Sequence, residues 1–452
     1  MPPVLALILC TLFVLFLLHL DHKQSPDVSF ALWIPTIWLL LIATRSLALW
    51  FGVSGESMEE GSPLDRAFLS VLFVFALLIL AKRRFRWTRV IKENPWVILL
   101  IGYMLVSVVW SDVPYTSIKR WTKELIAVAM AFIVASEANP RQALQCIFRR
   151  IIYLLIPFSY ILIHYFPKYG RIYGRWSGAL MWIGAADHKN SLGILCLFTI
   201  FYLTWTLIRR RQERDKPIVW HQTYVEICLL ILAIWLFMGP EHTFTYSVTS
   251  TVSLTIGLIA FIGLLWMKRQ NILIGANTLT VIISIIIIFG TIVPFHGGSI
   301  LSDAAFAFER SDTLTGRTEI WAYLVTYAMQ KSIWGHGFGG FWTDVHRAAS
   351  SSHAHNGYLD IILNLGFVGL ILSSIFLIHC LRKAHKTLIY EFDWGCLWIC
   401  ILLMAVVHNI GESSIISFAQ ILPAAILFLS ITPVSNNLNN QKPLDKEKCL
   451  AT

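Results

Sequence analysis

Apolar runs long enough to cross a bilayer recur along this chain near 3-20, 29-51, 67-81, 95-110, 118-135, 144-165, 190-208, 218-238, 246-267, 272-294, 359-380, 394-410 and 415-431. Each approaches the roughly 17 to 25 residues that a membrane helix needs, so the pattern predicts an all-α polytopic membrane protein of about 12-13 transmembrane helices. Most connections are short. The exceptions are 166-189 and 295-358, and the second contains Arg317 to Ser332, where Ile320, Trp321, Leu324, Val325 and Ala328 recur at helical spacing. That periodicity predicts an amphipathic helix lying against the membrane or the bundle. The expected division is therefore 1-294 as N-terminal membrane helices, 295-358 as a large outer loop, 359-431 as C-terminal membrane helices and 432-452 as a tail.

Composition reinforces this reading. Hydrophobic residues make up 56% of the chain and charged ones 14%, with a mean hydropathy of +0.66, leaving too little polar surface for a soluble globule of this length. Met1 to Leu20 lacks the charged start and small-residue cleavage site of a signal peptide, and it reads as a membrane helix. A net charge of +10 raises the question of nucleic acid, but the distribution answers it. Most Lys and Arg residues lie in 82-92, 141-150, 209-216, 268-269, 382-386 and 442-448, which alternate onto one side of the membrane. By the positive-inside rule that side is cytoplasmic. Trp87, Trp96, Trp110, Trp121 and Trp394 sit at helix boundaries and read as interfacial anchors. The cysteines fall mostly within apolar runs; Cys396 and Cys400, one turn apart, read as buried thiols. Gly335-His336-Gly337-Phe338-Gly339-Gly340 is glycine-rich but is not followed by the Lys-Ser/Thr of a phosphate-binding loop, which argues against an ATP-driven mechanism.

Candidate chemistry concentrates on the outer side. His353-Ala354-His355-Asn356-Gly357-Tyr358-Leu359-Asp360 collects two histidines, an amide and a carboxylate directly before an apolar run, where polar groups are costly. His355 is a candidate general base, since imidazole titrates near neutral pH; a hydrogen-bonded interfacial histidine is the plainer account. Arg175 and Arg317 are outer cations that the positive-inside rule does not explain. Placed at the opening of the amphipathic helix, Arg317 would add a fork-shaped donor to free backbone N-H groups, forming an anion site; pairing with Glu319 is the competing account. A metal site from His353, His355 and Asp360 is disfavoured, because two residues of separation before a helix seldom converge on one ion.

Taken together, Leu314-Thr-Gly-Arg317-Thr-Glu-Ile-Trp321, Trp334-Gly-His-Gly-Phe-Gly-Gly-Phe-Trp342 and His353-Ala-His355-Asn356-Gly-Tyr-Leu359-Asp with Gly366 and Gly369 resemble the outer loop and following helix of the bacterial O-antigen ligase and polysaccharide polymerase superfamily. Weaker similarity covers Trp110-Ser-Asp-Val-Pro114 with Lys119-Arg120, and Gly174-Arg175-Trp-Ser-Gly178 followed by His188-Lys189-Asn190. The resemblance implies a GT-C-like membrane glycosyltransferase of the bacterial inner membrane, independent of metal and cofactor. Its donor would be an undecaprenyl-diphosphate-linked oligosaccharide, used on the periplasmic face. It assigns His355 as base and Arg317 and Arg175 to the donor diphosphate, with Lys189, Asn190, Asn356 and Glu319 as further substrate contacts. Its partners would be a glycan or lipid-linked acceptor, membrane lipids and other polysaccharide-assembly proteins, with no nucleic acid. Ser247-Val248-Thr249 departs from the family, where a basic residue usually stands between Ser and Thr, and Ala179 to Asp187 reads as an insertion. The Gly-Arg-Thr-Glu-Ile-Trp and His-Lys-Asn forms favour an exopolysaccharide polymerase over a ligase to lipid A core or protein. A lipid-linked sugar flippase is the alternative of another class, supported by Lys119-Arg120-Lys123 and Glu124 but by no internal repeat.

Overall fold

The structure is a computed structural model describing residues 1-53, 62-83, 87-174, 178-212, 220-242, 246-296, 312-350, 353-415 and 417-432. Proline starts many of its helices: Pro3, Pro63, Pro95, Pro114 and Pro140 each stand in the first turn, where the missing N-H is no loss and φ is already helical. Ser62 caps one of these starts by accepting from Leu64 and Asp65 N-H, and Asn139 another by accepting from Gln142 N-H. Among the described residues nine helices are long and apolar enough to cross a membrane, from Pro3–Gln24 to Phe392–Gly411. Shorter apolar helices lie at Phe30–Ala43, Pro95–Trp110 and Ile421–Ile431, and Pro114–Ala135 carries charge in its first half. The protein is thus an all-α, multi-pass membrane protein. The single sheet among the described residues is a hairpin, Arg171–Tyr173 paired antiparallel with Leu180–Trp182, inside the stretch 166-189.

Burial sorts these helices by position. Phe392–Gly411 and Ile421–Ile431 are almost wholly enclosed, whereas Pro3–Gln24 and Pro63–Lys82 turn Leu9, Leu12, Phe16, Leu77 and Leu78 outward. Such apolar exteriors suit hydrocarbon, and charge is kept to the ends. The basic segments gather at one end, where Arg83 pairs with Glu137 at 2.5 Å, Arg141 with Glu391, Arg149 and Arg150 with Asp21 at 2.7 and 2.8 Å, and Lys268 with Asp393 at 3.6 Å. Trp394, expected at the membrane surface, is instead buried. Its ring packs edge-on to Trp205, whose Nε1 donates to Asp393 O, so an interfacial position became an interhelical one.

The opposite end is organised by a break in the long helix Gly357–Tyr390. At Gly366 the backbone takes φ 66° and ψ −169°, a region open essentially to glycine. The segment 332-336 fills the gap: Phe367 N-H donates to Ser332 O at 2.8 Å, Val368 N-H to Ile333 O at 3.2 Å, and His336 N-H to Leu363 O at 2.9 Å. A Cβ on Gly335 would lie 2.5 Å from Asn364 C, and one on Gly366 would lie 2.1 Å from Ile333 O. Gly335 of the Trp334 to Trp342 motif therefore serves close backbone approach. Gly366 is the break itself, because its backbone conformation rather than its small surface is what the loop requires.

Candidate functional site

Three bonds fix the turn that carries His355. Trp321 Nε1 of the helix Asp312–Gln330 donates to Ala354 O at 2.8 Å, Ala354 N-H donates to Asp360 Oδ2 at 3.2 Å, and Trp342 Nε1 donates to Asp360 Oδ1 at 2.8 Å. Asn356 then caps the next helix: its Oδ1 accepts from Leu359 N-H at 2.9 Å, and its Nδ2 donates to Gly290 O and Ile410 O at 2.9 and 3.0 Å. Between these anchors His355 is held at φ 50°, a left-handed conformation uncommon for a side-chain-bearing residue and sustained only where neighbours over-determine it.

Glu412, immediately after the helix Phe392–Gly411, closes the site from the other side. Its Oε1 accepts from Asn190 Nδ2 at 2.5 Å and from Arg317 Nη2 at 3.2 Å. Its Oε2 faces His355 Nδ1 at 3.5 Å and His353 Nε2 at 4.0 Å. The carboxyl is largely buried, which alone would raise its pKa, but the hydrogen-bonding and charge of His355, then the charges of Arg317 and His353, outweigh burial and hold it at about 2. Burial first, then the neighbouring His355, pushes His353 down to about 4. His188 is also lowered, chiefly by burial, with Glu412 opposing. One ionised carboxylate thus sits among three imidazoles and a guanidinium.

The expected site residues separate in the fold. His355, Arg317 and Asn190 converge on Glu412. Arg317 does not stand at a helix opening: its helix begins at Asp312, five residues earlier, and its ion-pair partner is Glu412 rather than Glu319. Glu319 is exposed on that helix. Asn356, expected as a substrate contact, is 0% exposed with its amide spent on backbone groups, and it holds the turn. The Lys189 ammonium lies over the Tyr246 ring at 5.5 Å. Arg175 lies outside the described residues. His353 is within the cluster, its ring centroid 4.1 Å from that of His355.

Sequence reasoning missed Glu412. The available cue was a lone carboxylate in the short connection 411-414, on the same side as two unexplained arginines. It also weighed Asp360 as a possible metal ligand, whereas Asp360 faces the backbone and Trp342, and Glu412 takes that place beside the histidines. Donor atoms of His353, His355 and Glu412 lie within 4.8 Å of one another, close enough to share an ion. The Arg317 guanidinium on the same carboxylate opposes a second cation there. Ser247, in the stretch that departs from the family pattern, points inward to Ser250 at 3.0 Å, which in turn meets His408 Nε2 at 3.4 Å. Residues suggestive of a transport path are engaged in packing: Arg120 donates to Gly339 O and Trp342 O, and Glu124 accepts from Ser417 Oγ at 2.6 Å and Phe418 N-H at 2.7 Å.

A multi-pass helical bundle with a polar cluster clasped between an outer loop and two helix ends defines a membrane protein with a site at one face. Comparison with known proteins then narrows the class. Residues 242–373, which include Arg317 and His355, match the family described as O-Antigen ligase. The chain is also 23% identical over 309 residues to the exopolysaccharide production protein ExoQ of Rhizobium meliloti (strain 1021), covering 66% of this chain and 66% of that relative. The chain is a multi-pass membrane protein in which residues 242–373 are similar to the O-antigen ligase family.

Proposed function

We propose that the protein is a glycosyltransferase of the bacterial inner membrane, moving a glycan from an undecaprenyl-diphosphate carrier to a sugar hydroxyl on the periplasmic face. The observation that carries this reading is the convergence of His355 and Arg317 on Glu412, at the end of the bundle opposite the basic segments. Chemically, transfer needs a base for the acceptor hydroxyl and a cation for the leaving diphosphate. An imidazole serves the first, and a guanidinium, permanently charged and forked, serves the second without a metal. We further read the reaction as polymerisation of exopolysaccharide or O-antigen repeat units onto a lipid-linked acceptor. The name of the Rhizobium relative and the Gly-Arg-Thr-Glu-Ile-Trp form support that choice over ligation to lipid A core or protein.

Reconstitution tests the proposal. The purified protein, given lipid-linked oligosaccharides extracted from the producing cells and no other acceptor, is expected to yield a ladder of longer lipid-linked glycans. His355→Ala is expected to abolish the ladder while remaining monodisperse in detergent; substantial turnover by that variant refutes the base assignment. Product formed only when lipid A core is added indicates a ligase. Sugar crossing proteoliposomes without any new glycosidic bond would move the protein to the flippase class.

A further inference from the structure

Glu412 lies outside residues 242–373, yet it faces Asn190, Arg317, His353 and His355 together. Two facts define its position. Oε1 is committed, to Asn190 at 2.5 Å and Arg317 at 3.2 Å, so the carboxylate cannot rotate freely. Oε2 faces His355 Nδ1 across 3.5 Å, and that nitrogen is buried with no hydrogen-bond partner.

We propose that Glu412 is the positioning residue of the transfer reaction: braced by Asn190 and Arg317, its carboxylate holds His355 as the Nδ1-H tautomer and leaves Nε2 free to take the acceptor proton. The proposal rests on His355 acting as base. An imidazole has two nitrogens, and a base needs its lone pair on the one facing substrate. A buried Nδ1 whose facing group is a carboxylate must carry the hydrogen, since a lone pair set against an anion is repelled and left unsatisfied. In the step itself, the acceptor O-H proton passes to Nε2 as its oxygen bonds the anomeric carbon. The bond from that carbon to the diphosphate oxygen breaks, and its electron pair leaves on the diphosphate beside Arg317. The imidazolium so formed lies against the ionised Glu412, so the charge created by the reaction meets an opposite charge already in place, and the proton later leaves to water. Because Asn190 and Arg317 share Oε1, the carboxylate also joins the base to the cation expected at the leaving group.

The test uses the full chain in detergent or nanodiscs. Ring-nitrogen chemical shifts of 15N-histidine-labelled wild-type protein, with the His355 signal assigned from His355→Asn, are expected to report Nδ1-H. Glu412→Gln is expected to lower kcat by about 100-fold or more, by analogy with the loss when a carboxylate orienting a catalytic histidine becomes an amide. KM for the lipid-linked acceptor should change little, and Glu412→Asp should recover part of kcat. A purely structural role for Glu412 would leave the His355 tautomer of a folded Glu412→Gln unchanged and would not lower kcat at constant KM. An Nε2-H tautomer in the wild type overturns the proposal even if every Glu412 variant misfolds, as does a folded Glu412→Gln with wild-type kcat. Turnover by His355→Ala sinks the underlying reading instead, so the two failures are distinct.

Discussion

Gly366→Ala is the substitution whose effect follows most directly from the geometry. The native backbone there, φ 66° and ψ −169°, is one that alanine adopts only at a cost of about 1 to 3 kcal/mol. The added methyl would stand 2.1 Å from Ile333 O, 2.3 Å from Ile333 C and 2.5 Å from Trp334 N, all backbone atoms that cannot swing aside. Relief requires withdrawing 332-336, which releases the bonds from Phe367 and Val368 N-H to Ser332 and Ile333 O; overpacking of this kind typically costs a further 1 to 3 kcal/mol or so. Together the penalty is on the order of 3 kcal/mol, roughly 100-fold in the equilibrium that keeps the loop clasped. The assay is paired. Thermal unfolding followed by fluorescence-detected size exclusion should show a lowered midpoint, and the ladder assay should show reduced transfer, since 332-336 braces the segment carrying His355. Gly263→Ala is the control: a Cβ there meets nothing within 4 Å on a regular helix, so stability should hold or rise slightly. A Gly366→Ala protein that melts and transfers like the wild type would refute the claim that the break needs glycine.

Arg317→Lys should impair transfer at least tenfold or so, because a point charge cannot serve Glu412 and a phosphate oxygen in two directions as a fork does; wild-type kinetics would remove Arg317 from the donor site. Trp342→Phe leaves an Asp360 oxygen without its buried donor and should destabilise by about 1 to 3 kcal/mol, read as a fall in melting midpoint; no fall would show the bond to be dispensable. His353 prefers its neutral form in the fold, with its pKa lowered to about 4, so folding stability should be full above the ordinary histidine range near 6.5 and decline as pH falls from there toward 4. His353→Asn should flatten that decline in melting curves taken across the window, and an unchanged slope would assign it to another group. EDTA is expected to leave transfer intact; complete inhibition reversed by a divalent ion would turn His353, His355 and Glu412 into ligands.

The class of the protein was legible because the bilayer imposes a one-dimensional code: length and apolarity of a run suffice to mark a spanning helix, and loop charge suffices to sort the ends. His355 and Arg317 were legible for a related reason, as expensive side chains in places where the code offers no excuse for them. What the linear pattern could not carry was partnership. Glu412 lies 57 positions from His355 and 95 from Arg317 in the sequence, and only the docking of the Phe392–Gly411 helix end against the loop brings the three within ion-pair range. Asn356 shows the converse. Its place in a polar motif suggested substrate, and the fold spends its amide on backbone groups instead. Gly366 was visible as a glycine, but a glycine that packs and a glycine that breaks a helix are written with the same letter. Local pattern therefore determined which elements exist and where costly polar side chains are concentrated. The tertiary structure decided which of the polar groups face each other, because hydrogen bonds and ion pairs depend on separations of a few ångströms that sequence spacing does not encode.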